Sequence, residues 1–183
     1  MTRLVFAHGL EGSPEGTKAT YLRETLGAIA PWLGESILDD QVRILAETVG
    51  NDGPAVVIGS SLGGLAALGL ACRRPELVRR LILLAPAVGT AHLIAAHPEV
   101  EARRPGLAAE VARFSELTIP EPVPAHIVLG IHDELIRLED VLALHVRSPS
   151  ARLSLVHDDH ALGRSRALIL SLAREEIAAN PVI

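Results

Sequence analysis

The chain has 183 residues, which fits a single domain over residues 1–183 with one substantial hydrophobic core. Hydrophobic residues make up 49% and charged residues 21%, and the net charge of −5 argues against an electrostatic nucleic-acid-binding protein. The single cysteine excludes an intrachain disulfide and a cysteine-based zinc site. The first residues are too short an apolar stretch for a signal peptide and no run is long enough to span a membrane, so we expect a cytoplasmic protein.

Strand-like and helix-like segments alternate along the chain. In order, the hydrophobic pattern predicts a strand at residues 4–7, a helix at 17–26, a short strand at 28–32, a helix at 35–49, a strand at 55–58, a helix at 65–72, strands at 81–85, 125–129 and 152–156, and a helix at 161–179. Residues 87–121 have the least regular pattern, and we expect one or two short helices over the site there. This alternation predicts an α/β fold in which a mostly parallel sheet of about six strands carries helices on both faces.

The most informative motif is the run GSSLGG at residues 59–64, which follows the strand at 55–58 and precedes an apolar helix-like run. Strand, G-x-S-x-G and helix together are the context of a nucleophile elbow, a sharp turn that lifts a serine hydroxyl above the sheet. The residues two positions before and after such a serine must be small, and Gly59 and Gly63 are. A glycine-rich loop that binds phosphate or merely turns is the alternative, but the flanking segments favour Ser61 as a nucleophile.

A neutral serine needs a base, and that base needs a group that orients it. In a parallel sheet both are expected in loops after the carboxyl ends of strands. Asp133 follows the strand at 125–129 and is the predicted acid, with Glu134 as its substitute; capping a helix that begins near Glu134 is the structural alternative. His160 lies just before the last helix, which favours it over His157 as the base.

An oxyanion hole needs two N–H donors that point to where negative charge develops. The Leu62 N–H directly follows the candidate nucleophile, and the Leu10 N–H lies in the loop after the first strand, where Gly9 lets the backbone approach a substrate. We expect His8 to orient this loop through hydrogen bonds. We do not expect it to bind a metal, because no second ligand lies at a suitable local spacing. These residues therefore predict neither a metal nor a cofactor.

The elbow, the His8-Gly9 turn and the chain order of serine, acid and histidine resemble the α/β-hydrolase superfamily over nearly the whole chain. The run HGLEGSPEGTKA at residues 8–19 is similar to small bacterial esterases of the YqiA type. The resemblance implies a minimal α/β-hydrolase fold without a large lid, and it places Ser61, Asp133 and His160 in a catalytic triad.

The resemblance implies a serine hydrolase of the carboxylesterase kind, which cleaves small short-chain acyl esters through an acyl-enzyme intermediate. An acyltransferase or thioesterase with the same triad is one alternative, and a catalytically silent binding protein with the same fold is another. One Trp, one Tyr and two Phe are too few for the aromatic pocket common in esterases. We expect neither a nucleic-acid nor a membrane partner, and the sequence leaves the oligomeric state open.

Lys18 is the sole lysine among 17 basic residues, and it lies at the start of the helix at 17–26. A cation at a helix N-terminus is mildly disfavoured by the helix dipole, so some contact should offset that effect. We hypothesise that the Lys18 ammonium binds the loop at residues 12–16 and thereby sets the turn that carries Leu10. A solvated surface lysine is the alternative.

Overall fold

The structure, a computed structural model, describes residues 3–178, with side chains up to residue 175. Its elements in chain order are β1 (Leu4–Ala7), α1 (Thr17–Leu26), α2 (Leu38–Val49), β2 (Ala55–Ser60), α3 (Leu62–Arg73), β3 (Val78–Leu84), α4 (Ala91–Ala95), α5 (Pro98–Arg103), α6 (Leu107–Ser115), β4 (Ala125–Gly130), α7 (Leu138–Val146), β5 (Arg152–Val156) and α8 (Arg166–Ala178). A short 3-10 turn, Pro75–Leu77, leads into β3. Within the described residues, no helix is both long and apolar enough to cross a bilayer.

The five strands form one sheet in the order β1-β2-β3-β4-β5, and every neighbouring pair is parallel. Strands β1, β2 and β4 are buried at every residue, which explains why their sequences are continuous apolar runs. Strand β5 is an edge strand, and its residues are exposed or half-buried. Helix α2 packs on α3, and α1 packs on α8. The predicted α/β class and parallel sheet are confirmed.

The strand predicted at residues 28–32 is reduced to one bridge, so the sheet has five strands and not about six. Ile29 pairs in parallel with Val5, on the edge of β1 opposite β2, and two backbone hydrogen bonds of 2.8 Å hold it there. Pro31 follows two residues later and has no N–H with which to extend the pairing. This excursion still reverses the winding direction of the chain at β1, and ligand crevices in α/β sheets occur at such switch points.

Three helices begin at other residues than the pattern predicted. Helix α2 begins at Leu38, three residues after the predicted start. Helix α3 begins at Leu62, directly after the elbow, because the sharp turn itself starts the helix despite the low helix propensity of its glycines. Helix α8 begins at Arg166, because residues 158–165 form a loop bound to the carboxylate of Asp158.

Residues 87–121 contain three short helices, where one or two were predicted. Helix α6 packs on α2, α3 and α4, and it is therefore part of the helical layer that covers the sheet. Phe114 of α6 lies so close to Gly69 of α3 that a Cβ at Gly69 would overlap its ring. Arg104, between α5 and α6, connects this segment to Leu10 in the candidate site.

Candidate active site

The turn after β2 holds Ser61 in a backbone conformation that non-glycine residues rarely adopt. Ser61 has φ 54° and ψ −121°, and it is half-buried. Across residues 3–178 only two other non-glycine residues have positive φ, Ala85 after β3 and Leu162 after β5. All three lie beyond the carboxyl ends of strands, and backbone strain of this kind clusters at functional sites. The carboxyl edge of the sheet is therefore the candidate site.

Backbone packing explains the two glycines of the motif. A Cβ on Gly59 would come closer than 3.0 Å to the Gly63 carbonyl oxygen, and a Cβ on Gly63 would do the same to the carbonyl oxygens of Ala7 and His8. These neighbours are backbone atoms, which cannot rotate away as a flexible side chain could. Gly59 thus lets the turn close on itself, and Gly63 lets α3 approach the end of β1.

The loop after β1 lies against the candidate nucleophile. A Cβ on Gly9 would lie 3.0 Å from Ser61 Cβ and 3.6 Å from Ser61 Oγ, so the Gly9 backbone is a close neighbour of the hydroxyl. Leu10 follows and is half-buried, while the Leu62 N–H is the first amide of α3. The first amides of a helix have no intrahelical acceptor and carry positive potential. Both proposed oxyanion donors therefore flank the elbow, and their role remains a prediction.

His8 holds this loop by hydrogen bonds at both ring nitrogens. Its Nε2 accepts the N–H of Leu33 at 3.3 Å, which places the ring proton on Nδ1, and Nδ1 donates to the Gly9 carbonyl oxygen at 3.0 Å. Burial lowers the pKa of His8, although the Gly9 carbonyl offsets part of that effect. His8 is thus a neutral structural histidine, as the sequence predicted.

Arg104 fixes the other side of the same loop, and sequence analysis gave it no role. Its Nη2 donates to the carbonyl oxygens of Leu10, at 3.3 Å, and Gly34, at 3.2 Å. The Leu10 carbonyl is thereby turned toward the guanidinium. Arg104 lies 94 residues after Leu10, in a segment without a regular hydrophobic pattern. No local sequence pattern could therefore have predicted this contact.

Asp133 and His160 come together from the loops after β4 and β5. His160 Nδ1 lies 2.9 Å from Asp133 Oδ2 and 3.1 Å from Oδ1, and Oδ1 also accepts the N–H groups of Leu135 and Ile136. The Asp133 side chain is 1% exposed and that of His160 is 17% exposed. A histidine whose Nδ1 donates to a carboxylate leaves Nε2 as its acceptor nitrogen. This is the arrangement that a general base requires.

The electrostatics of Asp133 keep it ionised. Burial alone raises the pKa of this carboxyl, but the hydrogen bonds from His160 and from the amides of Ile136 and Leu135 outweigh burial and hold it below its usual value. The same amides show that Asp133 caps a turn, since α7 begins only at Leu138. The structural alternative for Asp133 was a helix cap near Glu134, and that cap is absent from this part of the described chain.

The rejected candidates have other partners. Glu134 Oε2 accepts the backbone N–H of His160 at 3.4 Å, and not its ring. His157 is exposed, and its Nε2 lies 3.1 Å from the Nε2 of His132. The geometry therefore pairs Asp133 with His160, as predicted. Across residues 3–178, no hydrogen bond joins Ser61 Oγ to His160, and the role of His160 as base to Ser61 remains a prediction.

Asp158, to which the sequence assigned no role, organises the loop that carries His160. It is 3% exposed, and its Oδ2 accepts the Arg164 N–H, the Ser165 N–H and the Ser165 hydroxyl at 2.8–2.9 Å. Burial raises the pKa of Asp158, but these bonds outweigh burial and bring it below its usual value. The backbone of the loop packs against β4, because a Cβ on Gly130 would overlap the Asp158 carbonyl oxygen.

Both earlier interpretations of Lys18 are wrong. Lys18 Nζ donates to the Ser60 hydroxyl at 2.9 Å, and the side chain is half-buried rather than solvated. Within the described chain, no hydrogen bond joins Lys18 to residues 12–16. The same described part contains no group of three or more His, Cys, Asp or Glu side chains arranged to hold a metal ion.

The chain belongs to the α/β hydrolase family, whose profile matches residues 4–178. Over 61 residues, 32% of this chain, it is 46% identical to Lipase LipV of Mycobacterium tuberculosis, and the match spans 23% of that relative. A putative hydrolase of the α/β superfamily from Xanthomonas campestris is 27% identical, with a TM-score of 0.71 over 98% of this chain and 100% of that one. Alpha/beta hydrolase domain-containing protein 10 from mouse shares the fold at 21% identity, with a TM-score of 0.79 over 96% of this chain and 89% of that one. The predicted superfamily is confirmed, and the similarity to YqiA-type esterases remains a prediction.

Proposed function

We propose that the protein is a serine hydrolase that cleaves short-chain carboxylic esters through an acyl-enzyme on Ser61. The observation that carries the proposal is the strained Ser61 backbone, with φ 54°, and the Gly9 backbone against the Ser61 hydroxyl. Strain of this kind costs on the order of 1–3 kcal/mol. Acyl transfer explains this strain, because the reaction needs the Ser61 hydroxyl to project from the turn toward backbone N–H donors.

The Asp133–His160 pair supports the same reaction. Asp133 holds the Nδ1 proton of His160, so Nε2 accepts the proton of Ser61 as Oγ attacks the ester carbonyl carbon. The Leu10 and Leu62 N–H groups stabilise the resulting oxyanion. The imidazolium then protonates the leaving alcohol, and water attacks the acyl-enzyme by the same route and releases the acid.

The small insertion between β3 and β4 favours short acyl groups. Helices α4 and α5 have five and six residues, and α6 packs on α2 and α3. These elements leave little material for a lid that would enclose a long acyl chain. The lipase named among the relatives matches only 32% of this chain, so its name supports a lipolytic or esterase reaction without indicating chain length.

A fluorophosphonate probe tests the nucleophile, because it phosphonylates only activated serines. Wild-type protein should be labelled at Ser61, and an ester series from acetyl to octanoyl should show the highest kcat/KM at the short end. Absence of labelling in folded wild-type protein would contradict the proposal and favour a silent binding protein. Labelling with acyl transfer to added alcohols or thiols in place of hydrolysis would instead identify an acyltransferase.

A further inference from the structure

A single hydrogen bond connects α1 to the nucleophile elbow. Lys18 Nζ, at the start of α1, donates to the Ser60 hydroxyl at 2.9 Å, across 42 residues of sequence. Ser60 ends β2, is 5% exposed, and directly precedes Ser61. The reaction proposed above uses neither Lys18 nor Ser60, although a half-buried ammonium bonded to the residue before the nucleophile needs an explanation.

The cavity beside Lys18 is too small for an ester substrate. The side chain borders a cavity of about 10 Å³ that is lined by Leu22, Leu84, Leu162 and Ile169 among others. A volume of that size holds one water molecule at most. Any effect of Lys18 on the reaction therefore passes through Ser60, and not through contact with an ester.

The charges that face Lys18 come from the acid–base half of the site. Burial lowers the pKa of Lys18, and the carboxylates of Asp133, Asp158 and Asp159 offset part of that effect. Tyr21 of α1 and Arg166 of α8 line the same small cavity as Lys18. The Arg166 guanidinium lies 5.4 Å from the centre of the Tyr21 ring.

We propose that Lys18 is a positioning residue, which fixes the nucleophile elbow through its hydrogen bond to the Ser60 hydroxyl. The inference rests on the proposed serine-hydrolase function. The hydrogen bond restrains the residue that precedes Ser61, so the nucleophile keeps its orientation.

Three variants separate the hydrogen bond from the charge. Lys18→Met keeps a long apolar stem and removes both, Lys18→Arg keeps the charge with a planar head, and Ser60→Ala removes the acceptor alone. Arg23→Met is the matched control, since Arg23 is an exposed cation of the same helix. We expect Lys18→Met to lower kcat by about tenfold, a loss of transition-state positioning. Its Tm should be unchanged or raised, because replacing a half-buried charge with an apolar group of similar volume does not weaken a fold.

The comparison of kcat with KM gives the readout that a purely structural role would not change. In Lys18→Met, kcat should fall while KM stays at the wild-type value, because a displaced nucleophile slows the chemical step and leaves ester binding unchanged. Ser60→Ala, which removes the acceptor of the same hydrogen bond, should show the same pattern, and Lys18→Arg, which keeps N–H donors, should retain more of kcat than Lys18→Met. In the double variant Lys18→Met with Ser60→Ala, the loss of kcat should be smaller than the product of the single losses.

The proposal is overturned if Lys18→Met keeps the wild-type kcat, if its KM rises in place of a fall in kcat, or if activity falls only in step with Tm. Fluorophosphonate labelling of the wild type separates this failure from the failure of the proposed function. Labelled wild-type protein with an unaffected Lys18→Met variant removes the role of Lys18 alone. Unlabelled wild-type protein removes the serine-hydrolase function itself.

Discussion

The two halves of the candidate site are held by different forces. In the elbow half, Gly59 and Gly63 leave no room for a Cβ, so backbone packing between β1, β2 and α3 fixes Ser61. In the acid–base half, the buried carboxylates of Asp133 and Asp158 accept hydrogen bonds from the surrounding loops. Steric packing therefore fixes the elbow half, and hydrogen bonds to ionised carboxylates fix the acid–base half.

This difference predicts different sensitivities. Added methyl groups should disrupt the elbow half at any pH, since steric overlap does not titrate. Substitutions that neutralise a carboxylate should disrupt the acid–base half. Low pH should do the same, because the pKa values of Asp133 and Asp158 lie below their usual values in the folded protein, and protonation removes the charge that stabilises them there. Variants in each half can test the distinction.

The largest effect is expected where both halves act together. Ser61→Ala should lower kcat by a factor on the order of 10⁶, and His160→Ala by nearly as much, because a nucleophile and its base act as a unit. Kinetic assays on purified variants would measure both. His157→Ala is the matched control for the base, and it should cost tenfold or less, because His157 is exposed and contacts His132. A larger loss in His157→Ala than in His160→Ala would assign the base to His157.

The second largest loss of kcat is expected when Asp133, the acid that orients His160, is changed. Asp133→Asn keeps the shape of the side chain but removes the charge that holds the His160 Nδ1 proton, so we expect a loss in kcat of about 10⁴. Glu134→Gln is the neighbouring control and should keep near wild-type rates, because Glu134 contacts only the His160 backbone among its described hydrogen bonds. Equal losses in the two variants would contradict the assignment of Asp133.

In the elbow half, Gly63→Ala tests the role of volume. Its Cβ would overlap the carbonyl oxygens of Ala7 and His8, so β1 and α3 must separate. We expect a loss of about 3 kcal/mol in the free energy of unfolding. Gly163→Ala is the control, because a Cβ there meets nothing within 4 Å and the backbone φ is not positive. Urea denaturation would compare the two variants, and equal stabilities would show that the elbow tolerates the methyl group.

The same contrast explains which parts of the molecule the sequence predicts. The elbow could be predicted because its determinants, two glycines around a serine, lie within six contiguous residues between a strand and a helix. The pairing of Asp133 with His160 required the further rule that loops at one edge of a parallel sheet meet. Both predictions depend on topology or local geometry alone.

Contacts that depend on three-dimensional packing were not predictable. Arg104 and Leu10 are 94 residues apart, and Lys18 and Ser60 are 42 residues apart, so neither pair leaves a periodic signal. The wrong partner assigned to Lys18 was the loop adjacent in sequence. The strand predicted at residues 28–32 failed for a local reason, since Pro31 ends the pairing that Ile29 begins.

The smallest predicted effect concerns Asp158 and depends on pH. In the folded protein the pKa of Asp158 is below its unfolded value near 4, so its stabilising contribution is present above about pH 4 and is lost as pH falls through the folded value. Asp158→Asn leaves buried donors short of an acceptor at neutral pH, and we expect a loss of about 1–3 kcal/mol. The stability difference from wild type should shrink in acid, where the wild-type carboxyl also becomes neutral. The loss caused by Gly63→Ala should stay constant over the same range. Thermal unfolding from pH 7 down to pH 3 would measure both, and a pH-independent loss in Asp158→Asn would show that its charge does not hold the loop of His160.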